Sequence, residues 1–236
     1  MKLSTRLILV TCFAALGMAV VSAFALFSLR DTMVEERQAG VDMLVRLAAK
    51  QIQRYVELEK TGKLSREDAQ ATAKEAMRGL RDGGDYVFVR SGDKLTMTLV
   101  HPDPSKEGKE SDGGKLPNGS TTVAEYLKAL GNGNHGIALI YTKRPTGPED
   151  ALPKINVIQR IPEWGWVVGS GVFIDDVNKL FWQRVVVFSL IGGVVLLIVV
   201  GLVVGLARGI YRSLGGEPSY AAHVAQVITA GDMSHE

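Results

Sequence analysis

Two stretches of this chain carry no charged residue, residues 7–29 and residues 185–207, 23 residues each. As α-helix, each rises about 35 Å, enough to cross a hydrocarbon layer of about 30 Å. Lipid offers the backbone no hydrogen-bond partners, so an isolated apolar run of this length has to be helical. The sequence therefore predicts two membrane spans, 7–29 and 185–207. They separate a short N-terminus (1–6), a folded region (30–184) and a C-terminal segment (208–236). Lys2 and Arg6 precede the first span, and Arg208 and Arg212 follow the second. By the positive-inside tendency both termini are cytoplasmic and 30–184 lies outside, as in a two-pass membrane protein. Ala23-Phe24-Ala25 has the small-x-small form of a signal-peptide cleavage site. The apolar run continues through Leu29, however, past the usual core of about 7–15 residues, and this favours a retained anchor.

Composition excludes several classes. Residues 30–184 hold 23 Lys/Arg against 22 Asp/Glu, with no basic run interleaved with aromatics, so nucleic acid is not an expected partner. The single cysteine, Cys12, lies in the first apolar run and cannot form an intrachain disulfide. A region of 155 residues can bury a core without such staples. His101, His135, His223 and His235 share no ligand spacing with one another or with Cys12, so neither a metal nor a cofactor is expected. Gly131 to Gly136 spells G-x-G-x-x-G, but a predicted helix precedes it and a strand follows, the reverse of the dinucleotide fingerprint; it reads as a turn. Asn118-Gly119-Ser120 is a glycosylation acceptor only in a eukaryotic secretory pathway. No nucleophile–base or paired-carboxylate pattern can be assembled, and nothing argues for an enzyme.

Periodicity outlines the folded region. Val34, Val41, Leu44, Val45, Ala48, Ile52 and Tyr55 fall on one helical face, and only Gly17 and Gly40 interrupt the run back to Leu7. The first span thus continues into a long helix that stops at Gly62. Ser65-Arg66-Glu67-Asp68 is a capping box for a second helix reaching about Leu80. Strands follow at 85–90 and 94–101, the latter halted by Pro102 and Pro104. A loop over 102–119, of a length that often carries function, leads to a helix at 121–130. Strands at 136–143, 154–161 and 165–173 complete the set, and a helix from Ile174 feeds the second span. Helices grouped around hairpin-joined strands indicate an α+β fold with an antiparallel sheet.

Read in order, Tyr86-Val87-Phe88-Val89, Val100-His101-Pro102, Tyr141, Pro153-Lys154 and the stretch Trp164 to Asp176 (WGWVVGSGVFIDD) resemble the single Cache sensor domain of bacterial methyl-accepting chemoreceptors. Leu214 to Ser234 is similar to the first half of a HAMP linker, with Thr229 and Met233 at positions more commonly alanine and leucine. The resemblance implies a PAS-like five-stranded antiparallel sheet on a long N-terminal helix and a pocket for a short carboxylate such as acetate, propionate, pyruvate or lactate. Signalling to cytoplasmic partners would pass through an output domain that this chain does not include. The apolar stripe Ile210, Leu214, Tyr220, Val224, Val227 and Ile228 suits a parallel bundle, which implies a homodimer. A histidine kinase or diguanylate cyclase output, or a tethered binding protein without output, would leave the outer domain unchanged.

A carboxylate pocket needs donors in a setting with limited water. Lys154, Tyr141, Tyr86 and His101 are of the right chemical type, and Phe88, Trp164 and Trp166 can form aromatic walls. Period two puts Tyr86 and Phe88 on one strand face, Leu99 and His101 on one, Leu139 and Tyr141 on one, and Lys154, Asn156 and Ile158 on one. Each candidate also has an ordinary role: a half-buried tyrosine, a solvated Lys154 at a strand start, His101 as a strand end, or Trp164 and Trp166 as core. Asp175 and Asp176, at a helix start, fit capping and the helix dipole.

Overall fold

The computed structural model describes residues 3–144 and 150–214. Residues 215–236, which hold most of the HAMP-like stretch, lie outside the described residues. Arg30–Leu180 forms one compact unit, and the residues before and after it form a second.

In the second unit the apolar side chains of the two charge-free runs face outward: Phe13, Val21, Phe24 and Phe27 in one, Leu190, Leu197, Leu202 and Leu206 in the other. Both runs lie in helices long and apolar enough to cross a membrane. The first belongs to α1 (Leu3–Lys60), which passes Gly17 and Gly40 without a break; the second belongs to α4 (Ile174–Leu214).

The compact unit is built on one sheet. After α1, helix α2 (Arg66–Arg78) starts at Ser65, whose side chain accepts from the Asp68 amide and donates to the Asp68 carboxylate at 2.6 Å. The stretch expected as one strand over 85–90 is divided. Asp85–Tyr86 (β2) pairs with Arg81–Asp82 (β1) in a small ribbon, and Phe88–Ser91 (β3) enters the main sheet. Then follow β4 (Met97–Val100), α3 (Thr122–Leu130, capped by Thr121), β5 (His135–Thr142), β6 (Leu152–Ile161) and β7 (Trp166–Phe173). The main sheet runs β4-β3-β7-β6-β5, every neighbour antiparallel. Gly131 ends α3 with φ 48°, a value an L side chain rarely adopts, so the G-x-G-x-x-G letters serve a turn.

The two faces of the sheet are covered differently. Val45, Ala48, Ile52 and Val56 of α1, spaced three and four apart, pack with Ala69, Ala73 and Met77 of α2 against Val87, Val89, Val100, Val157, Trp166 and Val168. Each fully buried Val or Ile there contributes about 1.5–3 kcal/mol. On the other face, α3 covers Tyr86, Phe88, Ala138, Ile140, Ile158 and Val167 with Val123, Tyr126 and Leu130. The centre strand β7 is buried along its whole length. Its residues on the α3 side include Gly169 and Gly171. A Cβ at Gly169 would overlap the Phe88 ring, and one at Gly171 would overlap the Asn156 carboxamide.

Candidate ligand cavity

A cavity of about 280 Å³ opens on the α3 side of the sheet. It lies at the small end of small-molecule sites, which run about 300–1,000 Å³. Strands β2 and β3 contribute Tyr86, Phe88 and Arg90, and β6 contributes Lys154 and Asn156. Thr98 and His101 come from β4 and its end, Ile140 and Thr142 from β5, and Thr122 and Tyr126 from α3. The 102–119 segment adds Lys106, Lys109, Glu110, Ser111 and Gly113. That segment is pinned rather than loose. Glu107 accepts from the His101 amide at 2.9 Å and pairs with Arg78 at 2.6 Å, Ser111 accepts from Arg90 at 2.7 Å, and Lys115 bridges to Thr121.

Lys154 is the centre of the site. It is 1% exposed, so the solvated lysine that its place at a strand start suggested is not what the fold makes. Among the described residues no carboxylate lies within ion-pair distance of its ammonium. The ammonium sits instead over the Tyr86 ring at 4.0 Å and the Phe173 ring at 4.7 Å from the centroids. Burial pulls its pKa down to about 7, with Asp85 opposing and Arg144 reinforcing the shift. A buried cation without a counter-ion is costly, and an anion entering the cavity would relieve that cost.

The neighbouring polar groups are mostly donors. His101 Nδ1 accepts from the Asp103 amide at 2.9 Å, which leaves the proton of the neutral ring on Nε2. Burial, with Lys106 nearby, holds this imidazole neutral down to about pH 4. Tyr126 is fully covered and receives the Asn156 amide at 2.5 Å, so its own hydroxyl proton remains free to donate. Burial pushes Tyr86 up to about 12 and Tyr126 higher than an ordinary phenol, so both stay protonated. Arg90 spends one nitrogen on the Leu95 and Ser111 carbonyls. Phe88 stacks on Tyr126, with centroids 5.8 Å apart and planes 12° apart, and forms a wall. With Arg90, Lys106, Lys109 and Lys154 against Glu110 alone, the lining is electropositive.

Of the seven residues expected at a site, Tyr86, Phe88, His101 and Lys154 meet in this cavity. Trp164 and Trp166 lie on the opposite face of the sheet in the α1–α2 core, edge to face at 4.7 Å, with the Trp164 indole donating to Glu59 at 2.5 Å. Tyr141 lines a separate open groove of about 550 Å³ beside β5, with Leu116, Ile137 and Leu139. That groove contains no buried cation. The expected pairing of Leu99 and His101 on one face is corrected by a bulge. Val89 faces Val100 and Arg90 faces Thr98, so Leu99 is the extra residue and packs on the α1–α2 core, while His101 turns to the cavity. Arg90, Tyr126 and Asn156 were not singled out from sequence. Asn156 and Arg90 were legible through period two from Lys154 and from Phe88, whereas Tyr126 reaches the site only because α3 packs over it.

Comparisons with known proteins agree with this architecture. The family described as Single Cache domain 2 matches residues 33–186. A methyl-accepting chemotaxis protein of Pseudomonas putida, McpP, is 30% identical over 217 residues, covering 91% of this chain and 39% of its own length. CtpM, a methyl-accepting chemotaxis protein of Pseudomonas aeruginosa, is 27% identical over 190 residues, 75% of this chain and 33% of its own length. This chain therefore spans only 39% and 33% of these curated relatives. Among solved structures, a periplasmic sensor domain of a chemotaxis protein aligns with TM-score 0.55 and 31% identity, over 60% of this chain and 97% of that one. A Cache chemosensory domain described for carboxylic acid recognition aligns with TM-score 0.54 and 26% identity, over 61% of this chain and 97% of that one.

Proposed function

The chain belongs to the Single Cache domain 2 family, and from that premise we propose that it is the sensory part of a chemoreceptor that binds a short organic carboxylate beside Lys154. The observation that carries the reading is a buried ammonium, without a carboxylate partner among the described residues, in a cavity whose other polar groups mostly donate. Lys154 supplies the charge, His101 Nε2–H and the Tyr126 hydroxyl supply directed hydrogen bonds, and Phe88 closes over the apolar end. Trp164 and Trp166 serve the core. The solved relative described for carboxylic acid recognition supports the ligand class. Both curated relatives are methyl-accepting chemotaxis proteins, which favours that output over a kinase or cyclase.

In this reading residues 7–29 and 185–207 cross the inner membrane, and 30–184 is the periplasmic sensor. The protein works as a homodimer and passes its signal through the second span and a HAMP linker. Met43 and Leu47, one helical turn apart and exposed on α1, suit contact with a second copy.

A monocarboxylate of about five or six heavy atoms, at about −1.5 kcal/mol per atom, reaches no more than about −8 kcal/mol, or roughly micromolar affinity. Calorimetry of residues 30–184 with acetate, propionate, pyruvate and lactate is the test. Micromolar or weaker binding by at least one, lost in Lys154→Met, is the expected result. Silence across the panel would sink the carboxylate reading.

A further inference from the structure

Phe173 is the last residue of β7, and Ile174 opens α4. Lys154 and Phe173 are direct partners across the β6–β7 ladder, so their side chains share the cavity face. The Phe173 ring holds two cations: Lys154 Nζ lies 4.7 Å from its centroid and the Arg144 guanidinium 4.3 Å. Arg144, just beyond β5, also reaches the first turn of α4. Its Nη2 donates to Asp175 Oδ2 at 2.7 Å and to Asp176 Oδ1 at 2.8 Å. One nitrogen thus ties two adjacent carboxylates, which the helix N-terminus already favours. The other oxygen of Asp175 is buried without a hydrogen-bond partner among the described residues, which leaves that carboxylate dependent on Arg144.

We infer that Arg144 is a positioning residue that couples the charge at Lys154, through the shared Phe173 ring, to the first turn of α4. The inference rests on the carboxylate reading for its trigger but not for its geometry. Lys154 and Arg144 are like charges held at one ring, and they repel each other there. That repulsion works against the grip of Arg144 on Asp175 and Asp176. An anion on Lys154 cancels it, Arg144 settles on the two carboxylates, and the start of α4 tightens against the end of β7. Coupling of this kind is reciprocal, so a tightened α4 also holds the anion better. Occupancy is thereby read at the residue where sheet becomes helix, and α4 is the element that continues into the second apolar run.

Hydrogen exchange of the whole chain in lipid nanodiscs, read on peptides covering 174–180, tests this without an identified ligand. Lys154→Met removes the charge and keeps the bulk. It should slow exchange there by at least about threefold when Arg144 is present, and leave it unchanged in an Arg144→Gln background. No change on Lys154→Met, or an equal change in both backgrounds, overturns the coupling. Acetate, as an anionic probe, should act like Lys154→Met. Acetate that gives binding heat and leaves these peptides unchanged also overturns it. If acetate gives no heat while the two variants still show the Arg144-dependent change, the coupling stands and the ligand class is wrong.

Discussion

The same five strands present two unlike faces. Toward α1 and α2 the sheet is apolar: Val87, Val89, Val157, Trp166 and Val168 meet Val45, Ile52, Val56 and Met77. Toward α3 it carries Arg90, Lys154 and Asn156 beside Phe88 and Tyr126, with a cavity left between them. A single strand shows both, because Val157 of β6 points into the core while Lys154, Asn156 and Ile158 point to the α3 side. One face supplies the stability that lets the other keep a buried cation without a carboxylate partner among the described residues, an arrangement a core would otherwise reject. The division of labour is a claim about separability, and it can be broken.

Trp166→Ala should have the largest effect, a loss of about 3–5 kcal/mol in denaturant unfolding of residues 30–184. The affinity of the folded fraction for acetate should stay within about twofold. If affinity collapses along with stability, the faces do not act independently. On the cavity side, Gly171→Val forces Asn156 off its place and should cost about 2–3 kcal/mol together with acetate binding. Its neighbour across the strand, Ser170→Ala, loses only the hydroxyl bond to the Tyr86 carbonyl, about 1 kcal/mol, and should bind normally. A comparison of the two by calorimetry and urea melts sharpens the contrast.

Lys154→Met should move stability the opposite way. Removal of an unpaired buried charge should add about 2 kcal/mol, and scanning calorimetry should show the domain melting roughly 4–8 °C higher. Acetate affinity should meanwhile fall at least about tenfold. A lower melting temperature would mean the ammonium is already satisfied in the free protein. The wild type carries a pH signature of the same charge. In the unfolded chain the lysine keeps its proton up to about its ordinary 10.5, whereas in the fold it releases it near 7. Between those values the unfolded state binds more protons, so stability should rise with pH, by about 2 kcal/mol from pH 7 to 9. Carboxylate affinity should fall over the same range as the ammonium is lost. The smallest effect is expected at Tyr141→Phe, within about 0.5 kcal/mol in stability and without consequence for acetate. A large loss of binding there would move the site toward the β5 groove.

Much of the fold was legible along the chain. The capping box at Ser65 and the helical face from Val34 to Tyr55 rest on neighbours within a few residues and both form, whereas the strand read over 85–90 is divided and the one read over 94–101 shortens to Met97–Val100. The site was legible only in part. Tyr86, Phe88 and Lys154 follow from period two within single strands. Trp164 and Trp166 carry the same aromatic chemistry, yet which face they serve depends on what covers the sheet. His101 turns into the cavity because one extra residue, Leu99, bulges from β4, and no composition rule marks that position.

By itself the sequence determined which runs are long and apolar enough to cross a membrane, where the long helices lie and which segments alternate as strands, since these follow from hydropathy and local periodicity. The tertiary structure alone decided that Lys154 is buried with no ion partner among the described residues, that Tyr126 joins it from α3, and that Arg144 links Phe173 to Asp175 and Asp176. The reason is physical: desolvation and charge contact depend on residues that lie far apart in the chain and come together only when the layers pack.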